Sequence, residues 1–292
     1  MMKCSTAAVR TLIVALGITM IGMLVIGGCS KDDATAPQTT AVPTVDGDVF
    51  ESVIAAIAED DGGVVDQVGD LAAIADGTDS LACAAKPLAG IGVPVYDSAT
   101  GAWQVQVMRQ KGGPAEPFQT AYTWTYRYQY RNQSGEPLQH RVVGADTAYS
   151  IQFEIVAGNG TCRTARLSQR VMSMTGTLVA TGVNTDTIVI NGACTRTGVD
   201  TLSSCQSVRT LEYQLELAFT NVRCLRGQAE DISQQVRGDL SGNFVANVAF
   251  MSGYAYGETN ITRTMEIAMG DGRATLAIGD GSYSGDLATG TP

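Results

Sequence analysis

Tyr122-Thr123-Trp124-Thr125-Tyr126-Arg127-Tyr128-Gln129-Tyr130-Arg131 places an aromatic ring at every second position. Successive side chains of a β-strand point to opposite faces. A period of two therefore gathers Tyr122, Trp124, Tyr126, Tyr128 and Tyr130 on one face and leaves Thr, Arg and Gln on the other. A helix would scatter the same rings around its circumference. The stretch predicts a strand with one apolar and one polar face.

The same alternation recurs at 149–155 and 211–219, and further strands are expected near 171–181, 186–191, 243–251, 260–269 and 273–279. Between the last two, Gly270-Asp271-Gly272 is hairpin chemistry, because glycine and aspartate tolerate the positive φ of tight turns. No proline occurs between Pro137 and Pro292, so this stretch keeps every backbone N–H that a long sheet needs. The expected fold class is all-β. An antiparallel up-and-down meander of about eight to ten strands over 101–292 forms a barrel or a strongly curved half-barrel, with a sandwich also compatible.

Upstream the period changes. Phe50, Val53, Ile54 and Ile57 share one face at helical spacing, and Glu59-Asp60-Asp61-Gly62-Gly63 breaks the pattern. A second helical pattern runs through Val65, Val68, Leu71, Ala72 and Ala75. One or two short amphipathic helices within a helical or irregular segment, 48–100, are expected to pack on the sheet. Residues 29–47 carry Pro37, Pro43 and several threonines with little apolar mass, and read as a flexible tether.

The chain begins with Lys3 and Arg10, an apolar run from Thr11 to Ile26, small residues and then Cys29. That order is a secretory signal covering 1–28. Gly17, Gly22, Gly27 and Gly28 argue against a retained spanning helix. Ile26-Gly27-Gly28-Cys29 resembles the lipobox of bacterial lipoproteins. The resemblance implies cleavage before Cys29, acylation of that cysteine by palmitate-type chains, and a membrane partner engaged through the lipid anchor. Ser30 after the cysteine points to the outer membrane in the lipoprotein sorting systems. Ser30-Lys31-Asp32-Asp33 also resembles a surface-export signal of some bacterial lipoproteins, which implies display on the cell surface.

The 19 basic and 29 acidic residues give a net charge of -10, which disfavours nucleic acid as a partner. Cys4 leaves with the signal and Cys29 takes lipid. The five others are Cys83, Cys162, Cys194, Cys205 and Cys224. In an oxidising compartment they predict disulfides. Cys194 and Cys205 flank a Gly/Thr/Ser-rich stretch read as a loop, and are the first expected pair. Such a bridge stabilises by about 3 kcal/mol in the chain-entropy model. Cys162 with Cys224 is the second pair, and Cys83 is left over.

Catalytic signatures are sparse. His140 is the only histidine, and G-x-S-x-G, S-x-x-K, H-E-x-x-H, C-x-x-C and Walker-type patterns are absent. Glu154, Glu212, Glu216 and Glu266 lie on expected strands and are the candidates for a glycosidase-like carboxylate pair. Asp271, Asp280 and Asp286 lack EF-hand spacing, and Asp-Gly turn chemistry explains the first two. No metal and no cofactor is expected. The expected role is a non-enzymatic, lipid-anchored envelope lipoprotein that binds or supports. One alternative is a carrier holding a hydrophobic ligand in a curved-sheet cavity, lined by Tyr122, Trp124, Tyr126, Tyr128 and Tyr130. The other is a carbohydrate-active enzyme, with a glycan as ligand.

Overall fold

Among the described residues, helices α1 (Val45–Ile57) and α2 (Val64–Asp76) precede thirteen strands. These are β1 (Leu88–Ile91), β2 (Val95–Asp97), β3 (Ala102–Lys111), β4 (Gln119–Arg131), β5 (Pro137–Leu138), β6 (Ser150–Arg163) and β7 (Leu167–Thr181). After them come β8 (Thr187–Ser203), β9 (Val208–Leu225), β10 (Arg237–Ser252), β11 (Ala255–Gly270), β12 (Arg273–Ile278) and β13 (Gly281–Asp286), with a short helix α3 (Ile232–Gln235) before β10. The computed structural model describes residues 45–77, 88–113, 115–141, 147–227, 232–253 and 255–292. The expected signal, Cys29, Ser30-Lys31-Asp32-Asp33, nearly all of the expected tether and Cys83 lie outside the described residues.

The strands form one antiparallel sheet in the order β1-β3-β4-β6-β7-β8-β9-β10-β11-β12-β13, with β2 on β3 and β5 on β4. This is the expected up-and-down meander, and it does not close: β1 and β13 remain edges. The strand count exceeds the expectation for two reasons. β1 and β2 join the sheet from the segment read as irregular, and β13, with its Gly, Ser and Tyr, carries little apolar signal. Helix α1 begins at Val45, so the last three residues assigned to the tether are helical.

Eleven strands at about 4.8 Å spacing would span roughly 50 Å if flat, whereas a helix of 13 residues is about 20 Å long. Yet the α1–α2 hairpin meets both flanks of the sheet. Asp60 pairs with Lys111 on β3 at 2.7 Å, and Phe50 stacks on Tyr283 of β13 at 5.1 Å. The sheet therefore curls around the hairpin. The burial pattern agrees, since every residue from Val64 to Ala75 is buried. A helix buried on all sides belongs to a core and not to a surface stripe.

The five rings of β4 all face this core, each 4% exposed or less. Trp124 lies over Gly158 of β6, where a Cβ would stand 2.1 Å from the indole ring. Tyr126 packs on Phe153 at 4.8 Å, and Tyr213 of β9 stacks on Phe244 of β10 at 5.2 Å. The 270–272 turn joins β11 to β12 as expected, with Asp271 at φ 53° and Gly272 at φ 77°.

Both expected disulfides are corrected by the register. Cys194 pairs with Leu217 in mid-β8, while Cys205 lies in the turn after Ser203. The stretch read as a loop is strand, and the two cysteines stand roughly 30 Å apart along it. A bridge needs Cα atoms within about 7 Å. Cys162 registers through Gln169 and Asp200 to Leu211, and Cys224 is a further roughly 40 Å along β9. Cys162, Cys194 and Cys224 are buried free thiols, and Cys205 is an exposed one. Burial pushes the Cys194 and Cys224 thiols up to about 12. A thiol reagent applied to the native protein is expected to label Cys205 and to spare Cys162, Cys194 and Cys224 until denaturation. A cross-linked Cys194–Cys205 peptide in a non-reducing map would overturn this placement.

Candidate functional site

The hairpin is acidic throughout. Residues 45–76 hold nine carboxylates and no basic residue, while 88–292 hold fifteen basic and seventeen acidic residues. The sheet answers with inward cations. Arg109 continues the inward row of Val105 and Val107 on β3 and contacts both Asp66 and Asp70 of α2. These two carboxylates are four residues apart, so they share one helix face. Asp70 also accepts a hydrogen bond from the Tyr126 hydroxyl at 2.8 Å. Burial works to lower the Arg109 pKa, but Asp70 and Asp66 outweigh it and raise the value.

Other contacts repeat the pattern around the curl. Arg209 of β9 pairs with Asp48, Arg166 with Glu51 at 2.8 Å, Arg263 of β11 with Asp46 at 2.7 Å, and Arg226 with Asp76 at 2.9 Å. The Tyr130 hydroxyl donates to the Ile74 carbonyl at 2.8 Å, near the end of α2. Buried ion pairs contribute little net stability, but an incorrectly seated helix would leave several charges buried and unpaired. The pairs thus set where the hairpin sits.

A second polar cluster lies beneath the hairpin turn. The Cys162 thiol donates to Asp61 at 3.0 Å, Gln169 donates to Asp200 at 3.0 Å, and Arg196 donates to the Gln169 side-chain amide oxygen and, at 3.2 Å, to the Tyr213 hydroxyl. Asp61, Gln169, Arg196 and Asp200 are all buried. Sequence reading missed these networks. Their signal was present in the acid-only stretch 45–76 and in Arg109 and Arg209, which sit in phase with neighbouring inward apolar residues.

The aromatic strand is brought together as expected, but its rings meet the chain's own side chains. Tyr126 and Tyr130 bond α2, Gly62 packs on Tyr122, and Met174 with Gly158 flanks Trp124. The glutamates are not brought together as a catalytic pair. Glu154 pairs with Arg127 on the outer face. Glu212 and Glu216 are exposed and four residues apart on β9, roughly 13 Å. Glu266 lies two strands away, opposite Ser241 of the intervening β10.

The outer face carries open grooves. One of about 340 Å³ is lined by Arg127, Gln129, Gln152 and Glu154, and one of about 630 Å³ by Met108, Thr123, Asn159, Arg170 and Met172. His140 is exposed against Trp103, at 5.5 Å between ring centroids. Asp271 pairs with Arg237, Asp280 is exposed, and Asp286 accepts the Ala288 and Thr289 amides of a terminal turn. Among the described residues no group of three His, Cys, Asp or Glu is placed to hold a metal, and no helix is long and apolar enough to cross a membrane. No known family model, curated protein or solved structure matches the chain.

Proposed function

We propose that this chain is a non-enzymatic lipoprotein of the bacterial cell envelope, anchored by lipid on Cys29 at the outer membrane. In this reading it binds or supports through the polar outer face of a half-barrel filled by its own hairpin. The filling of the concave face is the observation that carries it. A carrier of hydrophobic ligands needs an apolar chamber of roughly 300 Å³ or more. Here Val53, Ile54, Ile57, Val65, Val68, Leu71 and Ile74 occupy the centre and are fully buried. What remains for a partner is the outer face with its Thr, Gln, Asn and Arg side chains. The anchor rests on Ile26-Gly27-Gly28-Cys29, and display at the surface rests on Ser30-Lys31-Asp32-Asp33.

Metabolic labelling with an alkyne fatty acid tests the anchor. The native chain is expected to carry label and to sediment with membranes, whereas Cys29→Ser loses both. A Cys29→Ser chain that stays labelled would overturn the assignment. Native purification with mass spectrometry tests the filled half-barrel. Apart from the anchor, no stoichiometric lipid is expected, and one tightly held apolar molecule per chain would favour the carrier instead.

A further inference from the structure

The cluster beneath the hairpin turn differs from the other contacts of the hairpin. Asp46, Asp48, Glu51, Asp60, Asp66, Asp70 and Asp76 each touch an arginine or lysine. Asp61 meets a thiol instead, that of Cys162. On the sheet side Asp200 is held by the Gln169 amide and lies beside the Ser52 hydroxyl of α1. Among the described residues neither Asp61 nor Asp200 forms an ion pair. Arg196, the cation that acts on both carboxylates, donates to Gln169 and to Tyr213. Both carboxylates are at most 1% exposed. A buried carboxylate without a cation in contact is costly to ionise, and here neither Asp61 nor Asp200 has one.

We propose that protons at this cluster control how firmly the hairpin seats in the sheet, locking it in mild acid and loosening it at neutral pH. The groups facing Asp61 are Cys162 of β6, Tyr122 of β4, Arg196 of β8, the adjacent Asp60 and Lys111 of β3, with Gly290 of the terminal turn against its carboxylate. Those facing Asp200 are Gln169 of β7, Arg196 of its own strand, Ser52 of α1 and Tyr213 of β9. Burial is the largest influence on both carboxyl groups and pushes each up to about 6.

The sign of the effect follows from linkage. A folded-state value above the unfolded value of about 3.9 means that the folded chain holds these protons more tightly. Their stabilising contribution is complete below about pH 4 and is lost as pH rises through about 6. The loss falls on the hairpin, because Asp61 lies in its turn and Asp200 meets α1.

Hydrogen exchange of the intact protein, read by mass spectrometry and corrected for intrinsic rates, tests the proposal. Peptides covering 52–66 are expected to exchange at least tenfold faster at pH 7.5 than at pH 5.0, with the β8–β9 ladder much less affected. Asp61→Asn with Asp200→Asn is expected to exchange slowly at both pH values. Equal protection of the native hairpin at the two pH values would overturn the proposal, as would a double variant that keeps the full pH dependence. Should the variant fail to fold, carboxyl carbon NMR of the native protein decides. Titration of Asp61 and Asp200 near pH 6 supports the proposal, and their titration below pH 4.5 overturns it.

Discussion

Arg109→Met is expected to lower stability by about 3–5 kcal/mol, the range for removing one partner from a buried ionic contact. Asp66 and Asp70 would remain under the sheet, each 1% exposed at the side chain, without the Arg109 guanidinium. The Tyr126 hydroxyl still donates to Asp70 but cannot neutralise it. At about 2–4 °C per kcal/mol for a domain of this size, the thermal midpoint falls by on the order of 10 °C. Methionine keeps the volume of the arginine stem, so the loss reports charge and not a cavity. Adding Asp66→Asn and Asp70→Asn to Arg109→Met should recover most of the loss. A single variant within about 1 kcal/mol of the parent would show that the contact does not hold α2 in place.

Trp124→Ala carries a comparable expected loss, about 3–5 kcal/mol by cavity formation. The indole is fully buried between Gly158, Met174 and the neighbouring Tyr122 ring, 5.6 Å away between centroids. Gly158→Ala tests the same contact from the other side. Its new Cβ would overlap the indole, and overpacking of this kind costs about 1–3 kcal/mol. In the Trp124→Ala background the same substitution should cost little, because the space is vacant. Chemical denaturation of the four chains forms a double-mutant cycle. Additive losses would place Trp124 elsewhere than over Gly158.

The elements most legible in the sequence were those with a clean period. β4 shows alternation over its whole aromatic run, and the 270–272 turn has the residues that a tight hairpin demands. β8 was half read, because its inward positions include Arg196, Gly198 and Asp200. Polar residues on the buried face break the apolar rhythm, so that half of the strand passed for a disulfide-bridged loop. The helices were recognised by their apolar stripe, but Asp48, Asp66, Gln67 and Asp70 on the remaining faces are buried as well. Nothing local tells a solvated aspartate from one that will meet an arginine from a strand dozens of residues away.

Sequence alone determined the local character of this protein: which stretches alternate, where the chain turns, and the helical pair before the sheet. Each follows from periodicity, backbone restriction or a short contiguous motif, which act over a few residues. Only the tertiary structure decided that the sheet stays open and curls, that the acidic hairpin fills it, and that Cys194 stands apart from Cys205 and Cys162 from Cys224. It alone placed Asp61 and Asp200 in one buried cluster around Arg196. Those outcomes depend on strand register and on desolvation of charges brought together from distant parts of the chain, and neither quantity exists until the chain has folded.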